Sequence, residues 1–212
     1  MKELILPVGL IAIIACMLLP LPSFVVDSLL VMNLLFAILL VVSSLYLTNP
    51  IRLSSLPTII LLATLYRLAL NISTTRKILG SGDAGEMIDL FGQLLMQGEI
   101  VVGLVIFLVI SLVQFIVIAK GAERVAEVSA RFTLDALPGK QMAIDADVRS
   151  GLIDLDTAKR KREDLQVESR FYGALDGAMK FVKGDAIAGL VITAVNIVGG
   201  FGVGMLVRGM DA

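Results

Sequence analysis

Glu123-Arg-Val-Ala-Glu-Val-Ser-Ala-Arg-Phe-Thr-Leu-Asp-Ala-Leu-Pro-Gly-Lys-Gln-Met-Ala-Ile-Asp-Ala-Asp147 is a polar, charged stretch set between two long apolar runs. It lies within a segment, Lys120 to Asp185, that holds 12 of the 18 Lys and Arg residues of a 212-residue chain. Outside that segment the chain is mostly hydrophobic: 57% of all residues are apolar and only 17% are charged. Its mean hydropathy is +0.92, far from an ordinary soluble domain. The pattern predicts an all-α membrane protein, with several transmembrane helices and one large helical, charged loop. By the positive-inside bias the loop belongs in the cytoplasm.

Composition narrows the chemistry. A net charge of -1 gives no sign of nucleic-acid binding, and the single cysteine, Cys16, excludes an intramolecular disulfide and argues against a metal cluster. With no histidine in the chain, imidazole-based catalysis, zinc ligation and pH switching are unavailable. Any proton handling must use carboxylates, lysines, tyrosines or water. No catalytic constellation, cofactor site or metal site emerges, and an enzyme is not expected.

The apolar runs predict about four spans in a membrane region covering residues 1–119, at 4–21, 27–47, 53–72 and 100–119. Each suffices for a hydrocarbon core of roughly 30 Å at about 1.5 Å per residue. For the first run, a secretory signal would want a basic start and a small-residue cleavage site; Lys2 is offset by Glu3 and no such site follows. Pro20-Leu-Pro22 predicts a corner. Asp27 starts the second span, where a carboxylate meets a helix's positive end, and Asn49-Pro50 closes it. Arg67 falls inside the third run, either snorkelling to a headgroup region or paired with a carboxylate from a neighbouring helix. Asn71 and Ser73-Thr-Thr75 suggest that this end of the span is wet. Residues 86–96 predict a short amphipathic helix. Gln114, the one strongly polar residue inside the fourth run, is of a kind that more often packs on another helix than lines a pathway. A fifth span is expected at 186–207. Counting back from the loop puts Met1 inside too, and places Arg76 and Lys77 outside, mildly against the bias.

The loop, 120–185, reads as helical pieces. Glu127, Arg131 and Asp135 stand four apart as a charge ladder, beside an apolar stripe of Val125, Val128 and Phe132. Pro138-Gly139 predicts a break, with a second helix from Gln141 to Gly151 and a third from Asp156-Thr157 toward Lys183. Pro138-Gly-Lys140 is not a phosphate loop: Leu134 stands where the first glycine is needed, and Gln141 where Ser or Thr is. The run Lys159–Asp164 mixes signs and reads as a solvated face. Asp176 and Lys180 are four apart in the favourable order. Asp185 re-enters the apolar run, where desolvation favours its protonated form and nearby Lys183 its charged form. Two roles stay open for it: capping the last span, or binding and releasing protons.

Arg131-Phe-Thr-Leu-Asp-Ala-Leu-Pro-Gly-Lys-Gln-Met-Ala-Ile-Asp145, with Glu123-Arg-Val-Ala-Glu127 before it, resembles the signature of the type III export gate family, FHIPEP. The likeness continues through Phe171-Tyr-Gly-Ala-Leu-Asp-Gly-Ala-Met-Lys-Phe-Val-Lys-Gly-Asp-Ala-Ile-Ala-Gly189 and covers the chain from Met1. These are inner-membrane subunits of bacterial flagellar and injectisome secretion machines. The resemblance implies a homo-oligomeric ring, nine-membered in the family, among other export subunits and inner-membrane lipids. It also implies that proton motive force drives unfolded protein substrates through the membrane. It points to Asp176, Lys180 and Asp185, with Lys183 beside them, as coupling residues. The matched signature residues Arg124, Glu127, Arg131, Asp135, Pro138, Gly139, Lys140, Gln141 and Asp145 form the assembly loop. Gln114-Phe115 and Glu123-Arg-Val125 look more like the injectisome branch. Family members are longer, with further spans and a large cytoplasmic domain beyond this stretch. A small-ion or small-solute transporter would predict internal repeats, which are not found. A structural membrane scaffold without titrating charges is the other alternative.

Overall fold

The computed structural model describes residues 2–46, 54–96 and 99–206; Asn49-Pro50 and Val207 lie outside them. Its elements in chain order are α1 (Lys2–Leu18), α2 (Ser23–Tyr46), α3 (Leu56–Ser81), α4 (Glu86–Met96) and α5 (Ile100–Val113). A six-residue π-helix, Gln114–Ala119, follows, then α6 (Lys120–Arg149) and α7 (Leu155–Leu206). Among the described residues, four helical stretches are long and apolar enough to cross a membrane: α2, α3, Val101–Arg149 and α7. With 17 residues, α1 stands at the short end of the spanning range of roughly 17–25.

Three sequence expectations change. The third span does not stop near Ile72; α3 runs to Ser81. Two of the three hydroxyls that suggested a wet end, those of Thr74 and Thr75, donate within the helix to the Asn71 carbonyl at 3.0 and 2.7 Å. The stop is Gly82, whose φ of 76° reverses the chain while its N–H caps the Ile78 carbonyl at 3.1 Å. Second, Pro138-Gly139 does not break α6. Ala130 and Ile144, on either side of the proline, are buried, and Lys140 Nζ reaches Glu168 of α7 at 3.1 Å. Packing along α7 thus offsets the lost donor. Third, the charged third helix and the fifth span are one 52-residue helix, about 78 Å long. Gly184 costs only about 1 kcal/mol as an interior helical glycine, too little to interrupt it.

Helix α7 is the spine, with its main contacts to α6 and α3. Small buried side chains, Ala126 and Ala130 on α6 and Ala158 and Ala178 on α7, let the two run close as an antiparallel hairpin. Its tip is set by Asp154, which accepts from the Thr157 amide at 3.0 Å. Thr157's hydroxyl and amide hold the Asp154 carboxyl below the usual carboxylate range. Charges stitch the shaft: Arg162 to Asp145 at 2.5 Å and Lys161 to Asp147 at 3.5 Å. These draw two members of the Lys159–Asp164 run across the hairpin. The outward faces of α2 and α5 expose large aliphatic side chains along their length, as helices facing lipid or neighbouring subunits do.

Candidate functional site: an ion pair and polar cavity between the spans

Arg67 lies near the middle of α3, and its guanidinium is ion-paired and hydrogen-bonded to the Asp185 carboxylate on α7. The two are 118 residues apart in sequence. Of the two readings open for Arg67, the partner is the one found. The Asp185 side chain is only 2% exposed, so it does not sit as a solvated cap. One of its oxygens, Oδ1, accepts no hydrogen bond from the described residues.

The pair borders a cavity of about 390 Å³. Helix α3 contributes Arg67, Asn71 and Thr74 to its wall; the α5–π segment contributes Ser111 and Gln114; α7 contributes Asp185, Thr193 and Asn196. Within each helix these positions stand three, four or eight residues apart, placing them on one face. Gln114 therefore lines a cavity rather than filling a helix–helix contact. It also opens the π-helix, whose wider turn has the Lys120 amide donating to the Phe115 carbonyl. The same spacing puts Lys120 Nζ over the Phe115 ring at 5.2 Å. A π turn is rare and recurs at functional sites; nothing in the sequence announced this one. At the cavity's far end Asn196 Nδ2 donates to Thr75 Oγ1 at 3.1 Å, while Asn196 Oδ1 is buried and accepts from none of the described residues.

Below Asp185, charges bridge the hairpin's root. Lys180 and Asp176 pair at 2.9 Å, as their spacing predicts. Lys183 reaches across to Glu123 on α6 at 2.8 Å instead of pointing away to a lipid surface. Lys180 is held above the ordinary lysine range by its hydrogen bond to Asp176 and that carboxylate's charge, with Glu127 and Glu123 adding to it. It stays protonated throughout the neutral range, so among the predicted coupling residues it is a fixed charge. Asp176, like Asp185, keeps one buried oxygen to which none of the described residues donates.

The signature residues divide. Lys140 and Asp145 face α7 through the ion pairs already described. Arg124–Glu127 at 2.8 Å and Arg131–Asp135 at 3.8 Å are exposed pairs within α6. Val125 and Phe132 are about 70% exposed beside them, while Val128, the third residue of the expected apolar stripe, is half-buried. Pro138, Gly139 and Gln141 are exposed too.

The other end of the bundle is fixed by different charges. Arg76 donates to the Met17 and Leu18 carbonyls at 2.7 and 2.8 Å, placing a cation at the C-terminal end of α1. Lys77 contacts the Ser23 hydroxyl and lies 3.8 Å from Asp83. The Gly85 amide, the Ser23 hydroxyl and Lys77 hold the Asp83 carboxyl low. Asp27 does not serve its own helix, which begins four residues earlier at Ser23. Its two oxygens instead accept from the Glu86 and Met87 amides at 3.3 Å, capping α4.

Comparison with known proteins places this arrangement. The FHIPEP family matches over residues 13–212. Among similar proteins are the probable translocation protein y4yR of Sinorhizobium fredii, 55% identical over 209 residues, and the secretion system apparatus protein SsaV of Salmonella typhimurium, 53% identical over 199 residues. The invasion protein InvA of Salmonella typhimurium is 51% identical over 209 residues. These alignments cover 99%, 94% and 99% of the chain, but 30%, 29% and 30% of the respective relatives. The chain thus spans a little under a third of their length. No solved structure matches.

Proposed function

Because the chain belongs to the FHIPEP family, we infer that it is membrane machinery of a type III secretion system, coupling proton motive force to protein export through Asp185 and its neighbours. The relatives' names, a secretion system apparatus protein and an invasion protein among them, favour the injectisome branch. The protein is multi-pass, and the bacterial inner membrane is its proposed site, with the amino terminus and the α6–α7 hairpin in the cytoplasm. The basic residues of the hairpin support that orientation. Arg76 and Lys77, which weigh against it, are each committed to fixed contacts.

One observation carries the coupling reading: a buried carboxylate paired to an arginine from another span, on the wall of a polar cavity. An ion pair inside a membrane bundle is costly and marks ion pathways. When Asp185 takes up a proton, its attraction for Arg67 falls, and α3 and α7 lose the contact that joins them there. Since α7 continues unbroken into the hairpin, movement at Asp185 passes directly to the cytoplasmic side. Each elementary charge crossing 100 mV represents about 2.3 kcal/mol, so a few protons suffice to separate such a pair.

We assign the exposed face of α6, with Val125, Phe132, Arg131 and Asp135, to a neighbouring copy in a homo-oligomeric ring. An exposed ion pair contributes only about 0–1 kcal/mol, a weak reason for such a ladder if it stabilised the protomer alone. Other export subunits and unfolded substrates would meet this ring.

Asp185→Asn, with ring assembly and secretion measured separately, tests the reading. Assembled rings that no longer secrete are expected. Assembled rings that secrete normally would make the protein a scaffold without a titrating charge.

A further inference from the structure

We propose that the polar cavity is a water-filled half-channel inside a single protomer, running along α7 from Asp185 to Asn196 and closed beyond Asn196 where Leu79 meets Gly199. Three observations lead there. Empty protein cavities are apolar, whereas all three helical walls of this one carry hydrogen-bonding side chains. At about 30 Å³ per molecule, its volume holds roughly a dozen waters. Its two ends each carry a buried oxygen, Asp185 Oδ1 and Asn196 Oδ1, to which no described residue donates. Leaving such an atom dry is costly, and water is the donor that fits both.

Geometry decides between a chain of waters and one bound cation. Asp185 and Asn196 are 11 residues apart on one helix, about 16 Å at 1.5 Å per residue, too far to ligate a single ion. Thr193, eight residues beyond Asp185 on α7, and Ser111 and Gln114 on the α5–π wall line the same cavity and offer hydroxyl and amide groups to waters there. Past Asn196 the polar character ends. A Cβ on Gly199 would lie 3.1 Å from Leu79 Cδ2, so α3 and α7 close tightly one turn beyond the last polar residue. The coupling reading enters only in what moves: protons passing along the waters to and from Asp185.

The test is cysteine reactivity in membrane vesicles with Cys16→Ser as background. Ser111→Cys and Thr193→Cys nearly conserve volume and place thiols on two cavity walls. Val109→Cys and Val195→Cys, at outward-facing positions of α5 and α7, are the controls. A thiol in apolar surroundings is kept from ionising, and each unit of pKa is a tenfold change in thiolate. Cavity cysteines should therefore react with a small, charged, thiolate-specific reagent about ten times faster than the controls, or more. Equal slow rates at all four positions would overturn the half-channel. Fast cavity labelling with normal secretion by Asp185→Asn would leave the channel standing and remove the coupling reading. Slow labelling with lost secretion would do the reverse.

Discussion

Arg67→Ala is expected to destabilise the protein by about 3 kcal/mol and to abolish secretion. Removing one member of a buried pair leaves an uncompensated charge, which typically costs 3–5 kcal/mol. The lower value applies because the Arg67 side chain is 39% exposed while Asp185 is almost wholly covered. Thermal or denaturant unfolding in detergent would read the loss. Asp185→Ala alone should also be costly, but the double variant should regain much of the stability, since neither charge is then stranded. Secretion should stay lost in all three. Strictly additive effects of the two single changes would mean that the residues do not interact in the membrane.

The second large effect is expected at the opposite end of the bundle. Gly85 has a φ of 92°, in the region L side chains rarely adopt. A Cβ there would stand 2.6 Å from Asp27 Oδ1. Gly85→Ala therefore combines backbone strain with displacement of the carboxylate that caps α4, together about 1–3 kcal/mol. Asp27→Ala alone loses the cap, about 1 kcal/mol. Combined, the two should cost less than their sum, because the clash vanishes with the carboxylate while the strain stays. Measuring unfolding of the two single variants and the double variant separates these contributions; an unaffected Gly85→Ala would remove the turn from the account.

What the sequence allowed to be read follows the range of the interactions involved. Apolar runs announced the spans because lipid selects side chains locally, and Asp176 with Lys180 was legible because a helix itself fixes that spacing. Arg67 and Asp185 were each conspicuous as charges in apolar surroundings. Their pairing was not legible, because no spacing rule joins residues on α3 and α7. The cavity stripe of Asn71, Thr74, Ser111, Thr193 and Asn196 could have been found by asking which polar residues recur at helical spacing within apolar runs. Asn71 and Thr74 pointed instead to an expected helix end. Pro138 misled for the opposite reason: its local effect is disruptive, and long-range packing of Ala130 and Ile144 decided the outcome. For Asp27 the local rule named the right chemistry, a carboxylate at a helix's positive end, and the wrong helix.

The claim at the centre is that Asp185 takes up and releases protons under a transmembrane driving force. Proton movement should be measured in sealed lipid vesicles that hold the protein and an internal pH-sensitive dye, under an imposed potential. A proton flux is expected that Asp185→Asn removes while Val195→Cys leaves it intact. An undiminished flux through Asp185→Asn vesicles, or none with the unsubstituted protein under any imposed potential, would contradict it.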